Sequence, residues 1–116
     1  PDSPAGWRPE RGFPTHPGWL AAVVAGHARV ASGVDVGCPA LVLLSARSAS
    51  ALSWSDAMRE ADSVLVVDDI ARAATRIARE VTIVRVDGAL HDVFLSRADA
   101  RDAAFAALER WSGWLA

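Results

Sequence analysis

Ile70-Ala-Arg-Ala-Ala-Thr-Arg-Ile-Ala-Arg-Glu-Val-Thr-Ile-Val-Arg-Val86 is the stretch on which the fold of this 116-residue chain turns. In its first half Ile70, Ala73, Ala74, Ile77 and Ala78 fall on one helical face, and Arg72, Arg76 and Arg79 on the other. That pattern predicts an amphipathic helix over 68–79, with Asp68 or Asp69 placed to accept the free N–H groups of its first turn. The second half, Val81–Val86, is a short β-branched run. A similar apolar run, Pro39-Ala-Leu-Val-Leu-Leu44, precedes the helix. Unbroken apolar runs of this length suit strands buried on both faces, as in a parallel sheet. Strand, crossover helix and strand make a βαβ unit, which is right-handed almost without exception.

Outward from this unit, Ser96-Arg-Ala-Asp99 has the form of a capping box with Asp in place of Glu. Ala104, Phe105, Leu108, Trp111 and Leu115 follow at helical spacing and predict a helix over 97–115 that packs on the sheet. Trp19, Val23 and Val30, with the small Ala22 and Gly26, predict another over 18–31, closed by Gly33. Residues 1–17 carry five of the six prolines and read as an extended arm, because proline lacks an N–H and fixes φ. Residues 46–61, rich in Ser and Ala with Leu52, Trp54 and Met58 loosely spaced, read as a short helix or a long loop above the sheet. The expected fold class is therefore α/β, with at least two parallel strands, 39–44 and 80–86, flanked by helices.

The composition, 52% hydrophobic and 22% charged, is that of one globular domain. Twelve basic residues, all Arg, against fourteen acidic ones leave a net charge of -2, which excludes a basic stripe able to hold nucleic acid. The longest apolar runs are too short to span a bilayer, and no secretory signal pattern opens the chain. The single Cys38 excludes a disulfide framework and a cysteine-rich zinc site, and fits a reducing, cytoplasmic compartment. Preceding a buried strand, Cys38 itself reads as a small core residue.

Ligands of open α/β sheets collect outside the carboxyl ends of the strands. Past Val86 comes Asp87-Gly-Ala-Leu-His91-Asp-Val-Phe-Leu-Ser96, a glycine turn carrying one histidine, in which Asp87 reads as a turn former and Asp92 and Ser96 hold the loop. Past the first strand come residues 45–61 and then Ala61-Asp62-Ser63-Val64-Leu65. An acid and a histidine thus occupy loops at one edge, in that order. His27 lies on the apolar stripe of its helix and reads as a packed histidine, and His16 carries no signal. No His-x-x-x-His or calcium-type acidic loop is present, so no metal or cofactor is expected.

Cys38-Pro-Ala-Leu-Val-Leu-Leu-Ser45, Asp62-Ser-Val-Leu65, Gly88-Ala-Leu-His91-Asp-Val93 and the terminal helix after them resemble the C-terminal part of an α/β-hydrolase, across roughly residues 17–116. The likeness is to lysophospholipase and monoglyceride-lipase-like serine hydrolases, including the serine aminopeptidase-like branch. It implies a three-layer fragment of the α/β-hydrolase fold, with residues 1–17 a remnant of a cap region and 18–116 the C-terminal portion of the hydrolase domain. It puts the catalytic histidine at His91 and the acid at Asp62. The implied partner is a small acyl ester such as a lysophospholipid or monoacylglycerol, cleaved through an acyl-serine. Trp7, Trp19 and Trp54 then fall in segments near the cap and the rim of the site, where they line an acyl pocket or pack the arm.

Two features depart from the family pattern. Gly-x-Ser-x-Gly occurs nowhere in the chain, and Ser45-Ala-Arg-Ser-Ala-Ser50 lacks the flanking glycines. Family order places the nucleophile in a missing N-terminal half, so these residues alone are expected to be inactive. Asp62 also lies seventeen positions after Ser45, a long interval that keeps Asp56 and Asp68 open as the acid. The alternative reading is a small non-catalytic α/β ligand-binding or interaction module.

Overall fold

The computed structural model describes residues 13–50 and 55–115. Trp7, Leu52, Trp54 and most of the proline-rich arm lie outside the described residues. The elements in chain order are α1 (Pro17–Ala31), β1 (Ala40–Ser45), α2 (Val67–Ala74), β2 (Val81–Val86) and α3 (Ala98–Leu115), with single 3-10 turns at Asp56–Arg59 and Val93–Leu95. The two strands pair in parallel, from Ala40 opposite Val81 to Ser45 opposite Val86. The chain is thus a small α/β unit with a two-stranded parallel sheet and three helices.

Successive side chains of a strand point to opposite faces, and here the faces take different helices. Leu43 and Val84 pack against a core of Val86, Ala89, Val93, Ala100 and Ala104, so this face belongs to α3 and the loop before it. On the other face the Arg85 guanidinium reaches Asp68 of α2 at 2.6 Å, and Val42 shares an apolar groove with Ile70, Ala73 and Ala74. Helices therefore lie on both sides of the strands.

Several elements depart from the sequence expectation. α2 stops at Ala74 rather than running to 79. The N–H groups of Arg76 and Ile77 turn back to the carbonyls of Ala73 and Ala74 in 3-10 fashion, while their own carbonyls accept from Val34 and Val36 of the returning chain. Neither Asp68 nor Asp69 caps this helix. Val66 occupies the cap position, and the Val67 N–H donates to Ser48 Oγ at 2.8 Å. Asp68 and Asp69 instead pair with Arg85 and Arg72.

The capping box at Ser96 is likewise not formed. Its hydroxyl accepts from Leu90 N–H at 2.9 Å and donates to the Asp92 carbonyl at 3.2 Å, so it closes the preceding loop. The buried face of α3 is Ala100, Ala104 and Ala107, with Phe105 46% and Trp114 65% exposed. Of the expected stripe only Ala104 is buried, because small alanines let the helix close on the loop and sheet. Phe105 meets Phe94 instead, ring centroids 4.8 Å apart.

α1 keeps its expected place, but none of its residues is fully buried and only Val23 and Val30 are half-buried. It is tied at its C-terminal end, where Arg76 donates to the Ala31 carbonyl at 2.5 Å and Gly33 turns the chain at φ +96°. His27 is exposed rather than packed, and Cys38 is exposed rather than core. Cys38 sits in the turn before β1, which starts at Ala40. Among the described residues no helix is long and apolar enough to cross a membrane.

Candidate functional site

The two loops that follow β1 and β2 meet beyond the carboxyl ends of the strands. β2 ends at Val86, and Gly88 turns the chain at φ +70°, a conformation that costs a side-chain-bearing residue about 1 kcal/mol. Ala89 then plugs the core with no exposed surface. Asp92 Oδ1 accepts from Phe94 N–H, and Ser96 ties Leu90 to Asp92, which leaves His91 at the tip of a loop closed on both sides.

Asp62 arrives differently. Its N–H donates to the Arg47 carbonyl and its carbonyl accepts from Ala49 N–H, both at 2.8 Å. This one-residue parallel bridge fastens Asp62 to the continuation of β1. The segment after it turns around the carboxylate. Oδ1 accepts from the N–H groups of Val64 at 2.7 Å and Leu65 at 2.8 Å. Ser48 Oγ then donates to the Leu65 carbonyl at 3.2 Å before α2 begins.

With Oδ1 occupied, Oδ2 is left for a partner outside the loop, and that partner is His91. Asp62 Oδ2 lies 2.8 Å from His91 Nδ1. The Asp62 side chain is 1% exposed and that of His91 45%. Burial alone raises the pKa of Asp62. The hydrogen bonds from His91, Leu65 and Val64 and the attraction of an imidazolium more than offset it, so the carboxyl stays below its ordinary value of 3.8. An ionised carboxylate can only accept, so Nδ1 carries the proton of a neutral imidazole. No hydrogen bond to Nε2 is formed among the described residues, and the His91 side chain is about half exposed.

The other acids considered from the sequence do not meet His91. Asp56 lies exposed in a 3-10 turn, 4.0 Å from Arg59, and Asp68 pairs with Arg85. Trp19 is exposed on α1. Among the described residues no cluster of His, Cys, Asp and Glu has the arrangement of a metal site. Ser48, whose hydroxyl joins the acid loop to the start of α2, was not among the residues singled out by the sequence. Its short side chain after an apolar strand was the available signal, masked by the serines around it.

Two cavities among the described residues lie away from the dyad. A groove of about 600 Å³ between α1 and α2 is lined by Val30, Val42, Val64, Leu65, Ile70 and Ile77 among others. The second, about 320 Å³, lies at the opposite end of the strands around Cys38, Pro39 and Glu80. What the site holds is a buried carboxylate hydrogen-bonded to a half-exposed histidine. No protein-family model, curated protein or solved structure matches the chain.

Proposed function

We propose that Asp62 and His91 are the acid and the base of a serine hydrolase acting on small carboxylic esters, as the resemblance to lysophospholipase-like and monoglyceride-lipase-like enzymes implies. The observation that carries this reading is the 2.8 Å hydrogen bond between Asp62 Oδ2 and His91 Nδ1, made by loops that follow two adjacent parallel strands. In such a site Nε2 takes the proton of an attacking serine hydroxyl and later gives it to the leaving alcohol. The buried carboxylate holds the tautomer and stabilises the imidazolium formed on the way.

The serine and its oxyanion N–H groups are not within this chain, since Gly-x-Ser-x-Gly does not occur in it. Both outer edges of the two-stranded sheet are unpaired among the described residues, and an open edge of apolar strands calls for further strands. We assign the nucleophile to such an additional part of the same fold. The chain alone should neither hydrolyse 4-nitrophenyl butyrate nor react with a fluorophosphonate. The polypeptide that joins these residues to a Gly-x-Ser-x-Gly turn should do both, and His91→Ala should abolish the hydrolysis. Undiminished hydrolysis by His91→Ala would overturn the proposal.

One observation favours the second reading, a non-catalytic ligand-binding module. The 600 Å³ groove has the size and apolar lining of a small-molecule site, yet His91 does not border it. A chain that unfolds cooperatively as a monomer and binds an apolar ligand with no effect of His91→Ala would support that reading over the hydrolase.

A further inference from the structure

Residues 45–49, the last residue of β1 and the segment that continues it, hold both loops of the dyad. Arg47 and Ala49 grip the main chain of Asp62, and the Ser48 hydroxyl grips Leu65 and Val67. Ser45 grips the other loop. Its Oγ lies 2.7 Å from the Ala89 carbonyl, two residues before His91, and 2.9 Å from the Arg47 carbonyl. Ser45 is 1% exposed, one of three buried polar residues among those described, the others being Asp62 and Ser96. A hydroxyl has one proton, and the shorter contact directs it to Ala89. That bond spans 44 positions of sequence, joining the end of β1 to the base of the histidine loop.

We infer that Ser45 is a positioning residue for the Asp62–His91 pair: its hydroxyl sets the histidine loop against the same strand segment that fixes Asp62. With Asp62 anchored through Arg47 and Ala49, the distance between carboxylate and imidazole depends on where the His91 loop sits relative to residues 45–49. The Ala89 carbonyl is the nearest point of that loop to be bonded there. Losing the donor leaves a buried carbonyl without its partner, an unfavourable state that the loop relieves by shifting to reach water. A shift of this kind lengthens the contact between Nδ1 and Oδ2, and the imidazole is then free to move its proton to Nε2. The importance of Ser45 to catalysis rests on the hydrolase reading. Its effect on the imidazole does not.

The test reads the His91 tautomer by long-range ¹H–¹⁵N correlation of the labelled 116-residue chain. In the wild type the neutral ring should carry its proton on Nδ1. In Ser45→Ala the ratio of Nδ1–H to Nε2–H should fall several-fold, while the amide spectrum of β1, β2 and α3 stays in place. Ser45→Thr, which keeps the hydroxyl, should restore the ratio, and Ser45→Val, of the same shape without it, should not. This pair repeats the comparison at constant volume, so it decides the matter even if Ser45→Ala does not fold. An unchanged ratio in folded Ser45→Ala or Ser45→Val would overturn the inference. Absence of ester hydrolysis in every context, with the ratio shifting as expected, would sink the hydrolase reading and leave the positioning role standing.

Discussion

The carboxylate of Asp62 and the imidazole of His91 are joined through Oδ2 and Nδ1 at 2.8 Å, with the acid sealed from water and the base about half exposed. This asymmetry is chemically useful. The acid stays ionised because three donors surround it, and the histidine side chain remains about half exposed. A carboxylate in that position fixes the imidazole tautomer through one oxygen while the backbone holds the other.

On the proposed hydrolase reading, once these residues are joined to a Gly-x-Ser-x-Gly turn, Asp62→Asn should leave the fold intact and lower kcat for ester hydrolysis by about 10⁴-fold, because the amide favours the wrong tautomer. Steady-state kinetics on a 4-nitrophenyl ester measure this. A loss of the same size from Asp56→Asn or Asp68→Asn, with Asp62→Asn harmless, would reassign the acid.

Asp62 also makes stability depend on pH. Its folded pKa lies below the unfolded value, so its contribution is fully present above the ordinary carboxylate range. It is lost as pH falls from about 4 through the lower folded value. Urea denaturation across this acidic range should show a stability slope that is reduced in Asp62→Asn. A slope identical in the two proteins would contradict the hydrogen-bonding pattern at the carboxylate.

Gly88→Ala should destabilise the chain by about 1 kcal/mol. The cause is the positive φ at this turn and not crowding, since an added Cβ meets nothing closer than 3.6 Å. The midpoint of urea unfolding reads this directly.

Ala104, with no exposed surface, lies in the core with Val86, Ala89 and Val93. Ala104→Leu should cost about 1–3 kcal/mol by overpacking, whereas Phe105→Ala, at a half-exposed position, should cost less. The two denaturation curves test whether the alanine face or the large apolar stripe of α3 meets the sheet.

These contrasts show which parts of the fold were legible in the sequence. Both strands and the extent of α1 followed from apolar runs and from proline and glycine at their ends. The end of α2 did not, because its apolar face continues through Ile77 and Ala78. What stops it is a tertiary event, the pairing of residues 34 and 36 with the carbonyls of Arg76 and Ile77. The packed face of α3 was misjudged for a related reason: hydropathy favours Phe105 and Leu108, but close approach to the loop at Ala89 favours alanine.

The candidate site was legible to the extent that an acid and a histidine could be placed in loops at one sheet edge. Spacing could not choose among Asp56, Asp62 and Asp68. The bridge from Asp62 to Arg47 and Ala49 and the N–H groups of Val64 and Leu65 are main-chain features that no side-chain pattern announces. The apolar run after Cys38 suggests a core position, yet the chain is still in a surface turn at that point. Native-state labelling by a thiol reagent should be complete, with no lag for unfolding.

The most direct test of the account is the protonation state of the His91 ring in the folded chain, read from its two ¹⁵N shifts when the imidazole is neutral. A proton on Nδ1, an unprotonated Nε2, and loss of that preference in Asp62→Asn are the expected result. A ring protonated on Nε2, or one exchanging freely between the two tautomers and indifferent to Asp62→Asn, would contradict it.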